Sequence, residues 1–160
     1  MTAAPSGAAP NEWATRVRFA EVDSLHVVHH SRYWMWFEEA RYQFLYALLD
    51  LTPAAITDLG VALPLIAAEC RYGRAVRWGT DVVVRVWLEP QRAAKLVFRH
   101  ELVDAHDPSI QYATARTTHV FTDRQLRLRA TVPEPYRHRL TAARDEQPWA
   151  FAPEGDAHVR

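Results

Sequence analysis

Between residues 13 and 19 apolar and polar side chains alternate, with Trp13, Thr15, Val17 and Phe19 on one side. That two-residue period predicts a half-buried strand. Further on the period lengthens: Tyr33, Trp36, Phe37, Ala40, Phe44, Leu45 and Leu48 recur every three or four residues. The spacing predicts an amphipathic helix of about four to five turns with one apolar stripe. Ser31 is placed to cap its start, and Pro53 stops it near Asp50. A helical turn over 54–59 closes at Gly60. Residues 61–72, 81–88, 94–103 and 111–122, rich in Val, Thr, Tyr and Leu and separated by Gly73, Gly79, Pro90 and the pair Asp107 and Pro108, read as four strands. Pro133 and Pro135 open a last polar helix over 134–144.

Short links between consecutive strands imply antiparallel pairing, and the absence of crossover helices implies an α+β layer pair in which one curved antiparallel sheet wraps around one long central helix. Open sheet edges predict a homodimer or homotetramer. A chain of 160 residues suits one domain. Residues 1–11 read as a flexible arm, 12–145 as that single domain, and 146–160 as a flexible tail.

Nineteen basic residues balance nineteen acidic ones, so no global field draws nucleic acid or an anionic membrane to the surface. Cys70, the sole cysteine, excludes an intrachain disulfide and a cysteine-based zinc site, and a reducing, cytoplasmic setting is expected. The five glycines form neither a dinucleotide fingerprint nor a phosphate loop, and none of the four serines lies in a G-x-S-x-G elbow.

What remains is the stretch AEVDSLHVVHHSRYWMWFEEAR, residues 20–41. His26, His29 and His30 lack the i, i+4 pairing of zinc helices, so neither a metal nor another cofactor is expected. A helix start, by contrast, presents backbone N–H groups without partners and the positive end of the macrodipole, which suits a polarised carbonyl oxygen. Asp23 lies seven residues before His30, within reach of a chain folding back. A carboxylate there can attack a thioester or deprotonate a water. Asp23 and Ser31 as plain turn and cap residues is the competing reading.

The line from Val17 to Arg41 resembles the opening motif of hotdog-fold acyl-CoA thioesterases of the 4-hydroxybenzoyl-CoA thioesterase and YbgC type: aromatic-x-[DE]-x-D-x-x-G-x-V, a Tyr, then aromatic-x-E-x-A-R. Asp23, Val28, Tyr33, Glu38, Ala40 and Arg41 fall on its marks, and His30 on a histidine of the YbgC branch. His26 stands at the motif's glycine and Ala75 at a usual proline, so the His26 side chain must tolerate the same turn. The resemblance implies a hotdog fold and hydrolysis of an acyl thioester of coenzyme A or acyl-carrier protein. It further implies Asp23 as nucleophile or general base and the His30 backbone N–H as the group polarising the carbonyl. Tyr33 is a candidate for the acyl pocket, with core packing as its alternative. Arg71, Arg74 and Arg77 are candidates for coenzyme A phosphates, or else charges guarding a sheet edge. Glu38 is expected to bond structurally, to loop amides or Arg41. A non-catalytic acyl-CoA-binding or partner-binding protein is the rival reading.

Overall fold

The computed structural model describes residue 9 and residues 11–49, 53–58, 60–90 and 94–152. Of the expected arm over 1–11, residues 1–8 and 10 lie outside the described residues, and of the expected tail over 146–160, residues 153–160 do; within the tail, Phe151 bridges Leu88 and Ala150 is buried. Strand β1 is Glu12–Arg16, and a 3-10 turn at Phe19–Glu21 precedes helix α1, His30–Leu49. Helix α2 (Pro53–Asp58) follows, then β2 (Val61–Ala62), β3 (Leu65–Tyr72), β4 (Asp81–Leu88), β5 (Lys95–Asp104), β6 (Gln111–Val120) and β7 (Thr122–Asp123). Helix α3 (Glu134–Glu146) and a 3-10 turn at Pro148–Ala150 close the described chain.

Five strands form one sheet in the order β1-β4-β5-β6-β3, and β2 pairs with β7 in a separate ribbon. Strand β1 runs antiparallel to β4, with Trp13 opposite Val84. Glu89 N–H donates to Val97 C=O across the β4–β5 hairpin, and Asp104 N–H to Ile110 C=O across the β5–β6 hairpin. Gly73 N–H, just past the end of β3, donates to Tyr112 C=O near the start of β6, so this pair is antiparallel too. The fold is the hotdog arrangement that the resemblance implied.

Periodicity located most elements within a few residues. The strand anticipated over 61–72 is interrupted, because Pro64 separates β2 from β3. Strand β1 ends at Arg16, and Phe19 belongs to the 3-10 turn. Helix α1 begins at His30, one residue before the anticipated cap.

Two compact units divide these residues. The first takes the described chain up to Phe44 together with Glu69–Val86 and His100–Ala115. Its core holds Val17, Val28, Tyr33, Trp36, Phe37, Ala40 and Phe44 with the alternating Val82, Val84 and Val86 of β4. Burying each large side chain of this kind is worth about 1.5–3 kcal/mol. Phe37 also packs against His100, ring centroids 5.1 Å apart. The second unit takes Leu45–Ala68, Trp87–Arg99 and the described chain from Arg116. Its core is built from Leu45, Leu48, Leu49, Leu88, Leu96, Phe98 and Phe121, with Tyr136 of α3 against Phe121 at 5.1 Å. Both parts of the predicted α1 stripe are buried, as its spacing required.

Candidate active site at the Asp23 loop

After β1 the chain is clamped by Val17 N–H donating to Thr80 C=O and Gly79 N–H donating to Val17 C=O. It then makes the 3-10 turn that ends at Glu21. From Glu21 to His29 it forms a small hairpin: His29 N–H donates to Glu21 C=O, Val22 bridges Val28, and Asp23 N–H donates to Val27 C=O. At the tip His26 N–H donates to Asp23 C=O, and Leu25 N–H donates to Asp23 Oδ1 at 2.8 Å, an Asx turn. His26 has φ +59°, the left-handed region where a Cβ is crowded and glycine is favoured. At the motif's glycine position this chain thus has a left-handed backbone, with a histidine bearing the strain.

Val28 N–H donates to Val76 C=O, and Val27 bridges Arg77, so the hairpin is fastened to the β3–β4 connection. One residue past His29, α1 begins. Among the described residues no acceptor takes the His30 N–H, as expected of a first helical amide. Ser31 N–H approaches His29 Nδ1 at 3.3 Å, and the Ser31 hydroxyl lies 2.8 Å from that nitrogen. The His29 and His30 rings pack with centroids 4.2 Å apart. Two further rungs, Val22 with Val28 and Glu21 with His29, thus lie between the Asp23–Val27 rung and the helix start at His30. Asp23 is half-buried; one carboxylate oxygen is committed to Leu25, and the other has no hydrogen bond among the described residues.

Glu21 is 4% exposed. Its carboxylate accepts from the Arg18 N–H at 2.8 Å, the Arg18 guanidinium at 2.7 Å and the Trp36 indole N–H at 3.2 Å. Burial alone would raise this carboxyl, but the Arg18 and Trp36 donors outweigh it and hold it below the usual carboxylate range. Glu21 stands at the acidic [DE] mark of the motif, to which the local pattern assigns no role. Its reach to Trp36, fifteen residues on, is set by the tertiary fold.

The other candidates fall as follows. Tyr33 is buried, edge-on to Tyr72 at 5.0 Å, and burial pushes its phenol up. Arg71 lies 3.4 Å from Glu69. Arg74 and Arg77 are exposed on the β3–β4 connection and make no ion pair among the described residues. The buried Arg41 reaches the exposed Glu38 at 3.5 Å, the structural pairing expected of Glu38. Burial raises the Cys70 thiol, partly offset by a hydrogen bond with Tyr72, which suits an inert thiol. Among the described residues, no three His, Cys, Asp or Glu side chains gather closely enough to hold a metal ion, and no helix is long and apolar enough to cross a membrane.

A sequence profile of the thioesterase-like superfamily matches residues 17–140. The 1,4-dihydroxy-2-naphthoyl-CoA hydrolase of Synechococcus is 32% identical over 131 residues, covering 74% of this chain and 81% of the relative. The crystal structure of a 1,4-dihydroxy-2-naphthoyl-CoA thioesterase from Synechocystis superposes with a TM-score of 0.70 at 23% identity, covering 81% of this chain and 94% of that one. A Thermus thermophilus protein superposes with a TM-score of 0.73 at 28% identity, covering 82% and 98%.

Proposed function

We propose that this chain, which belongs to the thioesterase-like superfamily, hydrolyses the thioester of an acyl-coenzyme A, with Asp23 and the His30 backbone N–H as its catalytic groups. The observation that carries the reading is the hairpin ladder: it ties a carboxylate with one uncommitted oxygen to the start of α1. A carbonyl oxygen resting at the His30 N–H gains a donor and the helix dipole, and both act more strongly as the oxygen becomes an anion. As general base, Asp23 takes a proton from water, the hydroxide adds to the carbonyl carbon, and the C–S bond breaks. The thiolate then recovers the proton, leaving the acid and free thiol. As nucleophile, Asp23 adds to the carbon directly, expels the thiolate, and forms a mixed anhydride that water cleaves. Acyl-carrier protein presents the same thioester on the same arm and is the alternative donor.

Arg74 and Arg77 supply the charge for coenzyme A phosphates, with Arg71 already engaged by Glu69. We further infer at least a homodimer: β3 ends the sheet, and its residues 65–69 are exposed, Leu65 and Ile66 among them. A second copy pairing along that edge covers them.

The test is thiol release from a panel of acyl-CoA and acyl-carrier-protein substrates. Asp23→Ala is expected to lower kcat at least about 100-fold, the scale of removing a positioned acid–base group. Equal rates in wild type and variant overturn the assignment. In a single turnover in 18O-water, label in the Asp23 carboxylate identifies the anhydride route, with water attacking the aspartyl carbon of the anhydride.

A further inference from the structure

We propose that Glu21 is a positioning residue for this site: its buried carboxylate locks the stem of the Asp23 hairpin onto α1 and so fixes Asp23 relative to the His30 N–H. The inference rests on the catalytic reading of Asp23 given above.

Three segments meet at this one residue. Through its side chain Glu21 accepts two bonds from Arg18, where the chain leaves β1. Through Oε1 it accepts the indole N–H of Trp36, fifteen residues away in the second turn of α1. Through its own carbonyl it accepts His29 N–H, the last amide before the helix. Trp36 is itself 3% exposed, so neither end of the indole–carboxylate bond is held in competition with bulk water. Two residues on from Glu21 stands Asp23, and the rungs between them are the Val22–Val28 bridge and the Asp23–Val27 bond. A shift of Glu21 against α1 therefore carries Asp23 with it.

Arg18 and Glu21 on their own close the 3-10 turn, the Glu21 carboxylate accepting the Arg18 N–H and the Arg18 carbonyl accepting the Glu21 N–H, and a purely structural role would end there. The Trp36 bond goes further, because it joins the turn to the helix whose first amide the reaction uses. Sealing a core with a carboxylate is costly unless every lone pair is engaged, and an apolar side chain would bury more simply. What the carboxylate adds is direction: its donors fix the angle as well as the distance, and misplacement of a reacting group by about 1 Å can cost about 100-fold in rate.

The experiment measures kcat, KM and thermal stability for Glu21→Ala, Glu21→Gln and Trp36→Phe, each in the wild-type and the Asp23→Ala background. With Asp23 present, Glu21→Ala is expected to lower kcat at least about 10-fold with KM changed less than about 3-fold, the mark of an interaction realised in the transition state. Trp36→Phe, which removes the indole N–H and part of the ring, moves kcat the same way, and in the Glu21→Ala/Trp36→Phe double variant the two effects are not additive. Glu21→Gln, which retains an acceptor for Trp36, recovers much of the rate. In the Asp23→Ala background none of the three changes the residual rate. Lowered stability with an unchanged kcat, or equal rate losses in both backgrounds, overturns the proposal. Should Glu21→Ala not fold, Trp36→Phe decides the matter by the same criteria. Full activity in Asp23→Ala itself overturns the catalytic reading and this inference together; a rate lost there but unchanged in the Glu21 and Trp36 variants overturns this one alone.

Discussion

The Tyr112 phenol donates to Asp104 Oδ2 at 2.7 Å, joining the two strands of the β5–β6 hairpin from the end of one to the start of the next. Burial first, and the neighbouring Asp104 carboxylate second, push Tyr112 up to about 12. The same bond, with the His106 and Asp107 amides, holds Asp104 below its usual range. Because the folded state keeps the Tyr112 proton longer than the unfolded chain does, its contribution is complete below about pH 10 and is lost as pH rises through about 12. Tyr112→Phe is therefore expected to flatten the alkaline decline of Tm. In the same variant the Asp104 titration, followed by NMR, moves up toward an ordinary aspartate. An unmoved Asp104 would show that the pair is not formed in solution.

His26 carries a left-handed backbone that costs an ordinary L-residue about 1–2 kcal/mol. His26→Gly removes that strain and gives back part of the gain through a freer unfolded chain, for a net stabilisation of up to about 1 kcal/mol. His26→Val, β-branched at a positive φ, is expected to destabilise by about 1–2 kcal/mol. Denaturant midpoints of the two variants on opposite sides of wild type are the expected result.

At low pH the buried Glu21 contributes to acid sensitivity. Its folded carboxyl titrates below the unfolded value, so its stabilising contribution is present above about pH 4.3 and is lost as pH falls through the lower folded value. Thermal melts of wild type across pH 5 to 2 should fall more steeply than those of Glu21→Gln, which has no proton to take up there. Parallel curves would place the acid sensitivity elsewhere.

If a second copy pairs along β3, a charge inside that seam opposes it. Ile66→Arg is expected to shift the molecular mass by light scattering from a multiple of 18.4 kDa toward the monomer, more so as the protein is diluted. An Ile66→Arg variant of unchanged mass assigns the contact to another surface.

For the arginines, the expectation is a change in binding and not in chemistry. Arg74→Ala with Arg77→Ala should raise KM for acyl-CoA by about 3- to 10-fold with kcat retained, and should weaken the dependence of KM on ionic strength. The same KM with and without the two guanidinium groups would leave them as guards of the sheet edge.

Much of this molecule is legible in its order of residues, because repeats of two and of three to four are imposed by the backbone geometry of strand and helix before any tertiary contact forms. Val82, Val84, Val86 and Leu88 alternate, and β4 buries those four. The stripe from Tyr33 to Leu48 is buried on α1 as its spacing demands. Asp23 ahead of a helix was legible as a motif, and so was the substitution of a glycine by His26. Three other features needed the folded chain. The side chain of Ser31, read as a cap, meets His29, since the hairpin carries helical geometry back to His30. Pro64 divides what composition joins into a single strand. Glu21 becomes a hub only when Trp36 arrives from fifteen residues away, because a hydrogen bond between distant segments depends on where two surfaces meet, and no local period encodes that meeting.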